Sequence, residues 1–327
     1  MSSSSVLAAM ESFFVARAPR KESAHTQAAY RRDLVEVTRL AAQSAGRELP
    51  ELTVDELGGP LLRSAFAAFA GPRSAASVAR AWSTWNQFFT FLVADGLVGG
   101  NPMPAVERPR VRKRSPKPLH GEDTPEQLLH AVLSGARKAR EPWPERDLVV
   151  LSLGLLAGLR LSEMLGLTLD SLAGRPGERR LQVLGKGGKI RSVPIEAALE
   201  NLIALYLETR LHRFGQRALP RDASLLVDTR GRPLQRGGAQ YLVRQCYRYA
   251  GIHDRVPRGA LVHALRHTFA TRLAEDGATA SEIMTLLGHA SITTSQNYID
   301  ATAREQRHAI RASRTYRSLE QLLATRE

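Results

Sequence analysis

Apolar residues recur at helical spacing through the first hundred positions of the chain. In SAHTQAAYRRDLVEVTRLAAQ, Leu34, Val35 and Leu40 follow this spacing, while Arg31 falls on another side. The stretch TVDELGGPLLRSAFAAFA predicts a second helix with a capped start at Thr53. The beginning of the chain is therefore predicted to be helical.

A third helix is predicted over SAASVARAWSTWNQFFTFLVADG, with Ser74 or Ser77 near its start and Gly96 near its end. Its tryptophan and phenylalanine residues follow helical spacing. This spacing favours burial of the aromatic side chains in a hydrophobic core over a role as a surface on which nucleic-acid bases stack.

A basic, proline-rich segment follows. Residues 101–118 contain five prolines and six basic residues, so they cannot form a regular helix and are expected to be extended. We interpret residues 105–118 as a linker between an N-terminal helical domain, residues 1–104, and a second domain, residues 119–327. Such a linker could lie along the phosphates of a DNA duplex and bind them through its basic residues. The alternative is a flexible, solvent-exposed connection between the domains.

Helical patterns return after Leu119 and are interrupted by one β-like segment. TPEQLLHAVLSGA and ERDLVVLSLGLLAG predict helices, whereas RRLQVLG, the turn KGGK and IRSVPI predict a hairpin. Helices resume from Ala197. The predicted fold class is mainly α, with a small β-hairpin in the second domain.

Composition adds a strong positive charge to this picture. The chain has 327 residues, of which 43% are hydrophobic, and its formal net charge is +14. This charge favours a polyanionic partner such as nucleic acid over a merely basic protein. The single cysteine, Cys246, excludes an intramolecular disulfide and suggests an intracellular, cytoplasmic protein. The apolar run from Asp147 is too short to span a bilayer, so no membrane segment is expected.

Two segments place basic residues where they need an explanation. In AGLRLSEMLGL, Arg160 lies in an apolar run and needs a partner, which Glu163 can supply from three residues on. In GKGGKIRSVPI, Lys186 and Lys189 are two of only six lysines among 46 basic residues. Lysine can exchange a proton where arginine cannot, which hints at proton transfer. For Arg160 and Glu163, the alternative is an ion pair with a structural role only. For the lysine-containing turn, the alternative is a flexible turn that contacts a phosphate.

Two further segments supply histidines, an arginine and a tyrosine. HALRHTFATRLAEDG carries His263 and Arg266 at helical i and i+3, so both can face one point, with His267 following. His263 and His267 also have zinc-ligand spacing, but no second ligand pair lies nearby. LLGHASITTSQNYID carries His289 and Tyr298.

Together these residues would form a positively charged site with one candidate nucleophile. They include no paired catalytic carboxylates, which argues against the usual metal-dependent nuclease. Arginine forks match phosphate oxygens, and a tyrosine can form a covalent phosphoester that conserves the energy of the broken bond. The set predicts chemistry at a phosphodiester.

These four motifs, in this order, resemble the tyrosine recombinases of the integrase family, and within it the Xer-type members. TQAAYRRDL and SVARAWSTWNQFFTFLVADGLVGGNP resemble the family's core-binding, SAM-like domain. The resemblance covers nearly the whole chain. It implies a two-domain, C-shaped DNA clamp that needs no cofactor or metal.

The resemblance also implies a role for each matching residue. Arg160 and Arg266 would hold the scissile phosphate, and Tyr298 would attack it. Lys186 would be the general acid toward the leaving 5′ oxygen, with Lys189 as the ambiguous alternative.

The remaining matches are two catalytic histidines and two supporting residues. His263 would precede the second arginine in the motif, and His289 would contact the phosphate or the nucleophile. Glu163 would support the first arginine, and His267 would support the site from its helix.

Partners follow from the same resemblance. The protein is expected to bind double-stranded DNA with paired inverted half-sites, as a homo- or hetero-tetramer joined through an exchanged C-terminal tail. A tail helix packed on its own domain is the alternative to this exchange. The expected DNA-contacting residues are Arg31, Arg80, Arg108, Arg110, Arg112, Lys113, Arg114 and Lys117.

The function implied is site-specific recombination through a 3′-phosphotyrosine and a Holliday junction. It would serve either Xer-like dimer resolution or integration of a mobile element. A catalytically silent DNA-binding protein and a type IB topoisomerase are the alternatives.

Overall fold

The computed structural model describes residues 4–22, 24–111, 117–135, 137–185, 188–288, 295–296 and 298–299. The chain divides into two compact units, Met1–Lys113 and Arg114–Glu327. The point of division falls inside the segment 105–118.

Among its described residues, the first unit has four α-helices: α1 (Val6–Arg17), α2 (Ala24–Ala45), α3 (Gly59–Ala70) and α4 (Ala75–Ala94). Short 3₁₀ turns include Leu49–Glu51, Val54–Glu56 and Met103–Ala105. Trp85, Phe88 and Phe89 are buried in the core of this unit, with the Trp85 ring edge-on to Phe88 at 5.6 Å. The prediction that the aromatic residues of α4 pack in a core is confirmed for these three.

The predicted helix starts have different outcomes in this unit. Ser74 caps α4 by accepting a hydrogen bond from the Ser77 amide at 3.4 Å, as predicted. Thr53, in contrast, caps only the 3₁₀ turn Val54–Glu56, and α3 begins at Gly59. Pro60 explains the break, because proline is tolerated in the first turn of a helix but not in its interior.

Seven α-helices and a small sheet form the described part of the second unit. The helices are α5 (Thr124–Leu133), α6 (Pro144–Leu155), α7 (Leu161–Leu165), α8 (Ala197–Arg213), α9 (Arg236–Tyr249), α10 (Leu261–Glu275) and α11 (Ala280–Leu287). The strands are β1 (Leu172–Ala173), β2 (Arg180–Leu184) and β3 (Ile190–Pro194), antiparallel in the order β1-β2-β3. The mainly α fold class with a small hairpin is confirmed, and β1, only two residues long, was not predicted.

Helix α6 is the centre of this unit. Every residue from Arg146 to Leu155 is buried, and the helix packs against α5, α8, α9 and α10. The buried Asp147 carboxylate is paired with the guanidiniums of Arg146 and Arg137, which meets the requirement that a buried charge has partners. None of the helices in the described ranges has both the length and the apolar character needed to cross a membrane.

Candidate active site

The Glu163 carboxylate is the centre of the candidate site in the second unit. It lies in the first turn of α7 and accepts hydrogen bonds from the Arg160 backbone amide at 2.8 Å and from Arg160 Nη1 at 2.7 Å. Arg191 on β3 adds a two-pronged contact, with both N–O distances 2.9 Å. Arg266 Nη1 lies 3.7 Å from the same carboxylate. One anion therefore gathers three guanidiniums, which we call the arginine cluster.

The charges of this cluster control the ionisation of Glu163. Burial alone would raise the pKa of the Glu163 carboxyl, but hydrogen bonds from Arg191 and Arg160 outweigh it and lower that pKa from 4.5 to about 2. Three positive charges around one negative charge leave a net positive site at neutral pH. Such a site is suited to an anionic ligand.

The C-terminal end of α11 is the second acceptor for the arginine cluster. Arg191 Nε donates to the Leu286 carbonyl at 2.9 Å, and Arg266 Nη2 donates to the Leu287 carbonyl at 2.7 Å. The last carbonyls of a helix have no partner within it and carry partial negative charge. The guanidiniums donate hydrogen bonds to these carbonyls and bring the opposite charge to them. They thereby fix the end of α11.

Gly158 connects α6 to the cluster in a conformation that only glycine adopts easily. Its φ is +61°, and a Cβ added there would lie 2.4 Å from Cδ1 of Phe269. Its carbonyl accepts a hydrogen bond from Arg266 Nη1 at 2.5 Å. Arg266 is only 4% exposed, and burial together with the charge of Arg160 lowers its pKa to about 9, which leaves it protonated at neutral pH.

Tyr298 lies against α10, with His267 as its hydrogen-bond partner. The Tyr298 hydroxyl is 2.7 Å from His267 Nδ1, and the tyrosine is 4% exposed. Burial raises the pKa of Tyr298, while the charges of Arg266 and Arg160 oppose that rise. The tyrosine is therefore within electrostatic reach of both arginines.

Both histidines on α10 are shifted toward their neutral forms. Burial, with His263 and Arg266 nearby, lowers the pKa of His267 from 6.5 to about 4. The pKa of His263 is also lowered, by burial and by the charges of Arg266 and Arg160. Among the described residues no third His, Cys, Asp or Glu joins them in a metal-binding group.

Two of the predicted catalytic residues, Lys186 and His289, lie outside the described residues. The hairpin that carries Lys186 in the sequence is closed by a hydrogen bond from the Gly185 amide to the Lys189 carbonyl at 2.8 Å, and Lys189 is exposed. Gly288 ends α11 directly before His289 in the sequence.

Arg191 is the residue that the sequence interpretation missed. It precedes the buried Val193 by two positions on β3, so both side chains point to the inner face of the strand. An arginine at an inward-facing strand position requires a buried acceptor. That alternation was the signal in the sequence that could have identified Arg191.

Two of the predicted DNA-contacting residues of the first unit, Arg31 and Arg80, have partners within the protein. Arg31 pairs with Glu11 and lies over the Phe14 ring, 4.4 Å from its centroid. Arg80 makes a two-pronged contact with the buried Asp33 carboxylate, at 2.7 and 2.9 Å. The fork on Asp33 gives Arg80 a structural role, and its contact with DNA stays a prediction.

The basic residues of the segment 105–118 are only partly described. Arg108 lies over the Trp82 ring at 5.3 Å, Arg110 is exposed, and Lys117 donates to the Arg258 carbonyl at 3.2 Å. Outside the described residues lie Arg112, Lys113 and Arg114.

Comparison with known families assigns both parts of the chain. The family described as Phage integrase family matches residues 121–305, and Phage integrase, N-terminal SAM-like domain, matches residues 14–96. The first match contains every residue of the candidate site.

Individual relatives cover most of the chain. Tyrosine recombinase XerC 1 of Ralstonia nicotianae is 33% identical over 291 residues, covering 85% of this chain and 84% of the relative. Tyrosine recombinase XerD of Halalkalibacterium halodurans is 34% identical over 238 residues, covering 72% and 74% respectively. The solved structure of the XerH site-specific recombinase bound to palindromic difH substrate, a post-cleavage complex, has a TM-score of 0.71 at 17% identity. It covers 94% of this chain and 84% of that chain, and the likeness supports the fold.

Proposed function

Since the chain belongs to the phage integrase family and its relatives are tyrosine recombinases, we propose that it is a site-specific DNA recombinase with Tyr298 as its nucleophile. The observation that carries this proposal is the arginine cluster held around Glu163, with Tyr298 within reach of the charges of Arg266 and Arg160. Preorganised guanidiniums are suited to the charge that grows on phosphate oxygens during displacement.

The proposed reaction exchanges one phosphodiester for another. The Tyr298 oxygen attacks the scissile phosphorus, the bond to the 5′ oxygen breaks, and a 3′-phosphotyrosine and a free 5′ hydroxyl result. The phenolic proton passes to a base, and the leaving oxygen takes a proton from an acid, for which we propose Lys186. A 5′ hydroxyl from the second DNA site then attacks the phosphotyrosine, which restores the tyrosine and joins the strands.

Three histidines support this reaction in the proposal. His267, neutral at pH 7, has one nitrogen free to accept a hydrogen bond, so its Nδ1 can hold and orient the hydroxyl of Tyr298. His267 is also the histidine placed to accept the phenolic proton, because its Nδ1 contacts the hydroxyl. His263, whose pKa is lowered by burial and by the charges of Arg266 and Arg160, stays a catalytic residue as proposed from the sequence. His289 keeps the role proposed from the sequence, as a contact to the phosphate or to the nucleophile.

The partner we propose is double-stranded DNA with paired inverted half-sites. The net charge of +14 supports binding through phosphates. The basic residues of the first unit and of the segment 105–118 are proposed to make these contacts. Assembly into a tetramer through the C-terminal tail completes the proposal.

The test uses a DNA duplex that carries its recombination site with a nick beside the cleavage point. We expect a denaturation-resistant protein–DNA adduct in EDTA with the wild-type protein, and none with Tyr298→Phe. Tyr241→Phe is the matched control, because Tyr241 is 58% exposed in α9. An adduct that persists in Tyr298→Phe would show that Tyr298 is not the nucleophile. A wild-type protein that binds the DNA without forming an adduct would be a DNA-binding protein only.

The role of Lys186 is tested by the chemistry of the leaving group. We expect Lys186→Ala to form adduct at least ~100-fold more slowly on ordinary DNA. A sulfur in place of the leaving 5′ oxygen should restore the rate, because a thiolate leaves without a proton. Lys189→Ala is the control, and a sulfur rescue seen there instead would move the acid to Lys189.

A further inference from the structure

We propose that Arg191 is a positioning residue that couples the β2–β3 hairpin to the arginine cluster. This inference rests on the proposed function and adds a residue to it. In the described structure Arg191 joins three elements at once: β3, which carries it, α7 through Glu163, and α11 through the Leu286 carbonyl.

The geometry of Arg191 is that of a rigid connector. Its side chain is only 12% exposed, and Nε, Nη1 and Nη2 each donate at 2.9 Å. A planar guanidinium fixes these three donors in one plane, whereas a lysine ammonium is a single point with no fork. A shift of β3 must therefore be taken up by the Arg191 methylenes or be passed to the Glu163 carboxylate and the end of α11.

Glycine at position 288 belongs to the same arrangement. A Cβ added to Gly288 would lie 2.9 Å from Arg191 Cδ and 3.2 Å from its Nη1. The guanidinium thus packs directly over the residue that ends α11. This close approach gives Gly288 a packing reason in addition to its φ of +61°.

The functional consequence concerns the turn between β2 and β3, which carries the two lysines in the sequence. Its strands are in register, with Leu184 opposite Ile190, the residue beside Arg191. Fixing β3 against Glu163 fixes the described end of the hairpin, Gly185 and Lys189, relative to that carboxylate. In the proposed reaction this hairpin supplies the proton donor. Arg191 acts through these residues and is not itself assigned a contact with DNA.

The test compares adduct formation on two nicked substrates, one with the ordinary 5′ leaving oxygen and one with sulfur in its place. Arg191→Lys keeps the charge and removes the fork. At saturating DNA we expect its rate to fall ~10–100-fold on the oxygen substrate. The fall on the sulfur substrate should be at least ~5-fold smaller, because that substrate needs no positioned acid. Gly288→Ala, which displaces the guanidinium without removing it, should show the same pattern.

Arg179→Lys is the matched control. Arg179 precedes β2, pairs with Glu200 at 3.5 Å and donates to the Leu172 carbonyl, so it is a structural arginine beside the same sheet. It should keep the wild-type rate on both substrates.

Four results would overturn the inference. A wild-type rate for Arg191→Lys on the oxygen substrate, or an equal fall on both substrates, would remove the coupling to the hairpin while leaving the proposed function intact. A lower melting temperature together with lost DNA binding would make Arg191 a residue of the fold only. A wild-type protein that forms no adduct on either substrate would overturn the proposed function and this inference with it.

Discussion

Replacing Glu163 with glutamine should destabilise the second unit by about 3 kcal/mol at neutral pH. The substitution keeps the side-chain shape but removes the negative charge that the arginine cluster shares. The pKa of this carboxyl falls from 4.5 to about 2, and each pH unit corresponds to about 1.4 kcal/mol. Because Glu163 is only 6% exposed, water screens little of this interaction.

Urea unfolding of the full chain, followed by tryptophan fluorescence, measures the effect. Trp143 is buried in the second unit, and Trp82 and Trp85 report on the first unit, whose transition should not change. Glu200→Gln is the control. That carboxylate has one arginine partner at 3.5 Å and a more exposed side chain, so its loss should cost less than about 1 kcal/mol.

The pH dependence of the Glu163→Gln effect tests its origin. A carboxyl with a depressed folded-state pKa contributes stability that is complete above pH 4.5 and is lost as the pH falls through about 2. The difference in unfolding free energy between wild type and Glu163→Gln should therefore shrink to less than half its neutral value by about pH 3. A difference below about 1 kcal/mol at pH 7, or one that stays constant down to pH 3, would refute the electrostatic explanation.

Two further stability predictions concern packing and a buried ion pair, both measured by urea unfolding. Gly158→Ala should lower the free energy of unfolding by about 1–3 kcal/mol more than Gly215→Ala. Both positions have φ +61°, but only at Gly158 would the added Cβ collide with the Phe269 ring, so equal losses of stability would contradict this explanation. Arg80→Ala should destabilise the first unit more than Asp33→Asn, since it leaves a buried carboxylate unpaired, whereas Arg80 is 46% exposed at its side chain and can be hydrated. The reverse order would contradict this assignment.

The sequence predicted those features of the site that depend on local spacing. Arg160 and Glu163 are three residues apart, and a charged residue in an apolar run requires a partner, so their pairing was predictable. His263 and Arg266 were placed on one helix for the same reason. The long helices of both units were predicted from the periodicity of their apolar residues.

Contacts between distant segments were beyond such reasoning. Arg191 reaches Glu163 across 28 positions and Leu286 across 95, and nothing in local spacing relates them. The hydroxyl of Tyr298 contacts His267 across 31 positions, and local spacing does not predict that pair either. The predicted start of a helix at Thr53 was wrong for a different reason. A capping signal fixes the first turn that follows it but does not determine how far the helix continues.

The carbonyl acceptors around Arg266 determine when the ordering of that side chain takes place. Fixing a long arginine side chain costs up to about 2 kcal/mol of conformational entropy. Arg266 is already fixed by the carbonyls of Gly158 and Leu287, so this cost falls on the folding of the unit and not on the encounter with a ligand. In the proposed reaction, a phosphate that arrives at the site would meet a donor whose direction is already set, and its affinity for Arg266 would not be reduced by an ordering step.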